Sequence, residues 1–151
     1  MEGMSIRKLN LAEHHKLMAD FFFNVFTKEP WNDDWSDSRQ LNAYIADLAG
    51  NPNSLCYGFF SDGGDMLALS IGGIKHWCSG TEYMINELCV RSDMQGRGTG
   101  TAFLEAIQKE LLAMDIHTIY LLTESRVPAF EFYKKRGFVQ EEYTVSFYKN
   151  F

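Results

Sequence analysis

Cysteine, positive charge and long apolar runs are all scarce in this chain, and each shortage excludes something. Three cysteines among 151 residues, Cys56, Cys78 and Cys89, are too widely spaced and odd in number for a disulfide framework or a zinc cluster. They are read as reduced thiols. His14 and His15 are adjacent, while His76 and His117 stand alone, so no pair has the i, i+4 spacing that offers two ligands to one ion, and no metal is expected. Lys and Arg number 14 against 20 Asp and Glu, a net charge of -6. Such a surface repels the phosphate backbone that dominates nucleic-acid affinity and suits a cationic small molecule better. The apolar stretches around Leu17 to Phe26 and Leu67 to Ile74 are interrupted or too short for the ~20 residues a membrane-spanning helix needs. Met1 to Leu11 lacks the basic region, apolar core and small-residue site of an export signal, so the expected location is the cytoplasm. Prolines number only 3, and there is no repeat, low-complexity tract or linker, which leaves one domain over residues 1–151.

What is present fits a packed α/β chain. Hydrophobic residues make up 46% and aromatics 15%, enough for a substantial core. Ser5 to Leu9 alternates as a strand, and a helical stretch follows from about Ala12 to Phe26. Thr27 to Trp35 loses periodicity around Pro30 and reads as an exposed loop rich in tryptophan and aspartate. Ser36 or Asp37 can cap a helix with Leu41, Tyr44, Ile45 and Leu48 on one face, ended by Gly50 and Pro52. Residues 55 to 76 read as a hairpin turning at Asp62-Gly63-Gly64, and Thr81 to Val90 adds a third antiparallel strand. A helix to about Met114 and a short strand from Thr118 to Leu122 then form a parallel crossover. A last helix begins at Pro128 and stops at Gly137, and Phe138 to Tyr148 reads as terminal strand pairing.

The chemistry concentrates in Gln95-Gly96-Arg97-Gly98-Thr99-Gly100, which joins a strand to an amphipathic helix and so can expose backbone N–H groups to an anion. A nucleotide-triphosphate loop would need Lys and then Ser or Thr after the last glycine, but Thr101 and Ala102 follow here. A dinucleotide fingerprint would need a glycine at position 101 and an early parallel strand, whereas this loop follows an antiparallel meander.

Gln95, Gly98 and Gly100 do fit the Gln/Arg-x-x-Gly-x-Gly/Ala signature of the GNAT superfamily of acetyl-CoA-dependent N-acetyltransferases. Ala129, Tyr133, Gly137 and Phe138 resemble that family's second signature, Ala-x-x-x-Tyr-x-x-x-Gly-Phe, and Val90 falls where the family ends its fourth strand. The resemblance implies a GNAT-type mixed sheet, an antiparallel meander followed by a parallel strand-helix-strand unit with flanking helices. It also implies acetyl-CoA as co-substrate. Gln95, Gly96, Arg97, Gly98, Thr99, Gly100 and Thr101 would cradle its pyrophosphate, and the pantetheine arm would pair with Leu88, Cys89 and Val90. Where many relatives carry Asn seven residues before the tyrosine, this chain has Arg126, which can reach phosphate or face solvent.

An amine with a pKa near that of lysine, about 10.4, must lose a proton before attacking a thioester. Family members often place an acid near Glu87, which is therefore the candidate base, although strand alternation sends Glu87 and Leu88 to opposite faces unless the strand is distorted. Tyr133 stands where the family sets its tyrosine beside the departing sulfur, and a backbone N–H near Leu88 or Cys89 is the expected oxyanion donor. Cys89 has no histidine partner and needs no nucleophilic role. The acceptor is expected to be a small cationic amine met by Trp31, Asp33, Asp34 and Trp35, as in chains resembling aminoglycoside 6'-N-acetyltransferases. The same tryptophans can equally anchor their loop to the core. A protein or peptide acetyltransferase and a non-catalytic acyl-CoA sensor stand as alternatives, and a homodimer is left open.

Overall fold

The computed structural model describes residues 3–151, so the part of the amino-terminal reading that falls on Met1 and Glu2 lies outside the described residues. The chain runs β1 (Met4–Leu9), α1 (Leu11–Phe26), α2 (Ser38–Ala49), β2 (Ser54–Ser61), β3 (Met66–Trp77), β4 (Gly80–Val90), α3 (Thr99–Ala113), β5 (Thr118–Leu121) and α4 (Pro128–Lys135). The five strands form one sheet in chain order. The first four are antiparallel, and β4 and β5 are parallel, joined through α3.

Helix ends follow local chemistry. Asn10 caps α1 by accepting from the Glu13 N–H, and Asp37 caps α2 by accepting from the N–H groups of Arg39 and Gln40, which selects Asp37 over Ser36. Pro128 occupies the first turn of α4, where its missing donor goes unnoticed. Gly137 takes φ +87 just beyond the helix, and the Phe138 N–H returns to the Tyr133 carbonyl at 3.1 Å.

Two cores lie on opposite faces of the sheet. On one face α1 and α2 bury Met18, Phe22, Val25, Leu41 and Ile45 against Leu69, Ile71 and Cys89. On the other, α3 buries Phe103, Ile107 and Leu111 against Tyr57, Tyr83 and Ile85. Tyr83 Oη donates to the Leu55 carbonyl at 2.8 Å and lies 3.0 Å from Ser70 Oγ, which satisfies these two buried hydroxyls, whereas the buried Tyr57 hydroxyl in the same layer has no partner among the described residues.

Two sequence expectations need correction. Phe138 to Tyr148 forms no strand: residues 139–151 are exposed and outside the sheet. Its alternation is real, but it makes no main-chain pairing with the outer edge of β5, the last strand of the sheet. The segment from Thr27 to Trp35 is a loop but not a freely exposed one. Trp31 packs edge-on to Phe26 at 5.1 Å, and Trp35 packs edge-on to Phe22 at 5.3 Å and stacks on Tyr44 at 5.2 Å. The aromatic surface is covered while the polar residues between the tryptophans, Asn32, Asp33 and Asp34, stay exposed. Among the described residues no helix is long and apolar enough to cross a membrane.

Candidate active site

A bulge in β4 decides which way the candidate base points. Pairing with β3 runs regularly from Ala68↔Val90 to Ile71↔Glu87, then jumps to Gly72↔Ile85, so Asn86 is the extra residue. Before the bulge, the odd-numbered Tyr83 and Ile85 lie in the α3 core; after it, the even-numbered Leu88 and Val90 do, while Cys89 joins the α1–α2 core. The parity flip turns Glu87 from the α3 face to the face covered by α2. Gly72 sits opposite the bulge, where a Cβ would lie 2.4 Å from the Met84 carbonyl oxygen and 2.8 Å from the Tyr83 ring. Only glycine tolerates that approach.

Tyr44, on α2, meets the carboxylate there and donates a hydrogen bond from Oη to Glu87 Oε1 at 2.5 Å. Burial holds the Glu87 carboxyl above the ordinary glutamate range; the Tyr44 bond draws it back and the charge of Asp33 pushes it further up. Burial, the bond to Glu87 and the same aspartate hold the Tyr44 hydroxyl far above its ordinary value, so the phenol keeps its proton and acts as the donor. Among the proposed acceptor residues, Asp33 is thus felt at Glu87. Asp34 instead accepts from the Ser36 N–H at 3.0 Å and is held below the usual carboxylate range by the Ser36 side chain first and by that main-chain bond second.

The β4 and β5 strands part company at the same place. Their pairing ends at Ile85↔Leu121, while β4 continues to Val90 with a partner on the β3 side only. The Arg91 N–H donates to the Leu67 carbonyl, so by alternation the main-chain groups of Cys89 and Glu87 also face β3, and those of Leu88 and Val90 face the gap. Val90's carbonyl accepts from the Gln95 side chain at 3.0 Å, which leaves the Leu88 N–H and carbonyl and the Val90 N–H open to an extended ligand. The gap is a cavity of about 140 Å³ lined by Glu87, Leu88, Trp31, Phe26, Glu124 and Tyr133, among others. Trp35 does not line it, being packed behind Tyr44.

Tyr133 is buried at the floor of that cavity, its ring between Phe132 and Phe138 at centroid distances of 5.4 and 5.2 Å. Burial, with the neighbouring Cys89 and Glu87, holds its phenol well above the ordinary value, so it stays a donor across the neutral range. Burial also pushes the Cys89 thiol well up, and Cys89 packs in the core as an apolar residue. That is the opposite of what a nucleophilic thiolate requires.

At the far end of the gap the glycine loop follows a short 3-10 turn, Ser92–Met94. Gly96 at φ +71 and Gly98 at φ +82 are left-handed, with nothing within 4 Å of where a Cβ would stand. The backbone here is exposed, and α3 begins directly behind it, so main-chain N–H groups at a helix start stand open to an anion such as a diphosphate. Gly100 differs: it is already helical, and a Cβ there would touch Phe132 and Val90 at 3.4–3.5 Å, so it serves close packing of α3 on α4. Thr99 is fully buried, whereas Arg97 is exposed on the loop. Arg126 is exposed between β5 and α4 and makes no hydrogen bond or ion pair with another described residue. A residue the motif reading passed over joins the cradle: Arg136 Nε donates to Thr101 Oγ1 at 2.7 Å, bringing a guanidinium to the first turn of α3. The signal was its place one residue before the Gly137-Phe138 pair. Tyr44 was also missed as a site residue, because its helical spacing marks it only as core.

Residues 12–138 match the family described as Acetyltransferase (GNAT) family. The chain belongs to that family and has its acetyltransferase fold. No curated protein sequence matches it. Among solved structures, a possible acetyltransferase from Clostridium difficile 630 superposes with a TM-score of 0.79 at 15% identity, covering 99% of each chain. Aminoglycoside N-acetyltransferase AAC(6')-Iy, in complex with CoA, gives 0.70 at 16% identity over 97% of this chain and 94% of its own. A ribosomal-protein-alanine N-acetyltransferase from Brucella melitensis biovar Abortus 2308 gives 0.72 at 16% identity over 98% and 99%. Small-molecule and protein acceptors thus occur on the same scaffold, so the acceptor has to be argued from the site.

Proposed function

We propose that this chain transfers the acetyl group of acetyl-CoA to a primary amine of a small cationic molecule, by direct attack with both substrates bound. One observation carries the reading: the bulge at Asn86 aims Glu87 into the same cavity as Tyr133, at the mouth of a gap that runs to the glycine loop. Acetyl-CoA supplies the activated thioester. Gly96 and Gly98 receive the diphosphate on exposed main chain, Arg97 and Arg136 add positive charge beside it, and Leu88 and Val90 pair with the extended arm.

Glu87 takes a proton from the incoming ammonium. A carboxyl held above its ordinary range is the stronger base and is closer to matching its task. Leu88 N–H faces the gap and donates to the carbonyl oxygen as negative charge develops there; Cys89 N–H, directed into β3, does not. Tyr133 donates a hydrogen bond to the departing sulfur. Phenol near pKa 10 and thiol near 8.5 differ by roughly 1.5 units, or about 2 kcal/mol, before burial adds more, so the phenol supports the leaving group without giving up its proton. The negative residues around the mouth, Asp33, Glu87 and Glu124, favour an acceptor with more than one positive charge, and Trp31 offers it a flat wall. The small volume beside Trp31 favours a compact acceptor over a polypeptide chain.

Mixing the purified chain with acetyl-CoA and a panel of polyamines, aminoglycosides and amino-terminal peptides, with free thiol as readout, tests this directly. Thiol release with a multiply charged small amine is the expected result. Turnover confined to peptides overturns the acceptor class, and coenzyme binding without any turnover overturns the enzyme reading.

A further inference from the structure

Two hydroxyl groups are kept inside an apolar layer directly beneath the bulge in β4. Ser70 and Tyr83 are fully buried, and with Tyr83 Oη donating to the Leu55 carbonyl, Ser70 Oγ donates to Tyr83 Oη across 3.0 Å. Buried hydroxyls cost stability unless paired, and apolar side chains would fill the same space without that cost. Their place in the ladder shows what the pair does. Tyr83 pairs with Ile74 before the bulge and Ser70 with Leu88 after it, so Asn86 lies between the two ends of the bond. On a regular ladder the residues from Ile74 to Ser70 run roughly 13 Å, and the two side chains meet only because the strands bend between them. The Tyr83 ring crosses β3 at Gly72, where a Cβ would stand 2.8 Å from it, and its hydroxyl ends on Leu55, the β2 partner of Gly72. Three strands are stitched together at the height of the bulge.

We propose that Tyr83 and Ser70 are positioning residues: their bond clasps β3 to β4 across Asn86, holds the bulge in its bent form, and so fixes the aim of Glu87 and of the Leu88 N–H. Neither hydroxyl touches a substrate; both act through Glu87 and Leu88, and so rest on the roles proposed for those two residues above. Alternation alone favours the wrong register. Without the extra residue, the pairing Gly72↔Ile85 would continue as Ile71 with Asn86 and Ser70 with Glu87, which sets the carboxylate beneath α3 among Tyr57, Phe103 and Ile107. A flat ladder of that kind carries the two hydroxyls apart and leaves Ser70 buried without its partner, a penalty that favours the bent form. On the other face of the sheet Tyr44 donates to Glu87, so a tyrosine hydroxyl holds this stretch of β4 from each side.

Two variants of the full chain test this. Tyr83→Phe keeps the ring over Gly72 and deletes only Oη, while Ser70→Ala deletes the bond across the bulge and leaves Tyr83 on the Leu55 carbonyl. The readouts are thiol release with the amine of the panel above that turns over fastest, calorimetry with acetyl-CoA, and amide hydrogen exchange. In Tyr83→Phe kcat should fall about 10–10²-fold, the cost of a small misplacement of reacting groups, while the Kd for acetyl-CoA holds. The amides of Glu87 and Cys89, which face β3, should exchange faster, while residues 103–111 of α3 keep their protection. Ser70→Ala should show the same pattern more weakly, and it decides the matter should Tyr83→Phe fail to fold. Ile107→Val loosens the same core away from the clasp, so it should lower Tm yet leave kcat and the exchange at Glu87 and Cys89 as in the parent chain. Parent kcat in both clasp variants, a loss no larger than that of Ile107→Val, or unchanged exchange at Glu87 and Cys89 overturns the proposal. Failure of the base assignment is told apart: full turnover in Glu87→Gln removes Glu87 from the chemistry, and the exchange measurement still decides whether the clasp holds the bulge.

Discussion

The two walls of the cavity at Glu87 are built from different kinds of information. The wall made by β4, the glycine loop, α3 and α4 comes from short-range patterns: two left-handed glycines before a helix, and a tyrosine four residues before a glycine stop. The wall made by α1, α2 and the loop between them comes from contacts between distant segments, such as Tyr44 on Glu87, 43 residues apart in the chain. The first wall carries chemistry shared by a family, and so has a spelling. The second is the one proposed to select the acceptor, and its spelling is only that of a hydrophobic core.

The sharpest way to break this division is at the residue where the walls meet. Glu87→Gln keeps the shape and the approach of Tyr44 but removes the proposed base. It should lower kcat by about 10²–10⁴-fold, with acetyl-CoA affinity by calorimetry unchanged. Unaltered turnover would remove Glu87 from the chemistry and return the base to solvent.

On the shared wall, Gly98→Ala forces an L side chain into φ +82, which costs about 1–2 kcal/mol. No atom lies near the added methyl, so the fold should survive with a small loss in Tm, while the Kd for coenzyme A rises roughly tenfold as the loop leaves its anion-binding shape. The acceptor KM should stay constant. A parallel change in acceptor KM would show that the two walls are not separable.

The same division explains what could be read before any coordinates. Helix α2, the hairpin, the crossover and the motifs at Gln95 and Tyr133 are all local, and the structure has them within a residue or two of the expected bounds. The direction of Glu87 was not legible. Strict alternation from Tyr83 would have placed it among the α3 core, and only pairing with Gly72 across the sheet creates the bulge that turns it. Trp31 and Trp35 were visible as unusual loop residues, but their partition between cavity wall and buried support depends on Phe22, Phe26 and Tyr44 from two helices. The tail failed for the opposite reason. Its pattern has the period of a strand, but alternation does not specify a pairing partner, and the tail lies outside the sheet.

Tyr44→Phe probes the second wall with a single atom. The hydrogen bond it deletes lowers the Glu87 pKa, so its loss should raise that pKa further and move the acid limb of the kcat/KM profile to higher pH. The sign follows from the base form being required: on the acid side less carboxylate is present, and activity there should fall about tenfold, in line with a hydrogen bond to a charged group. Above the limb the variant should recover, because the phenyl ring keeps its stacking on Trp35. A uniform loss at every pH would mean Tyr44 only holds α2 in place.

The smallest effect is expected at Asp33, and it runs the other way. Its charge pushes the Glu87 pKa up, so Asp33→Asn should shift the acid limb to lower pH. Asp33 is exposed, and an exposed charge pair contributes only about 0.2–1 kcal/mol, so KM for a multiply charged amine should rise by less than about fivefold. For a singly charged amine that engages Glu87 alone, KM should hardly move. That contrast separates two functions of one carboxylate, tuning the base and holding a second ammonium, and salt distinguishes them again. Raising ionic strength should erase the KM difference between the parent chain and the variant, because the acceptor contact is exposed, while the displaced pH limb persists at the more buried Glu87.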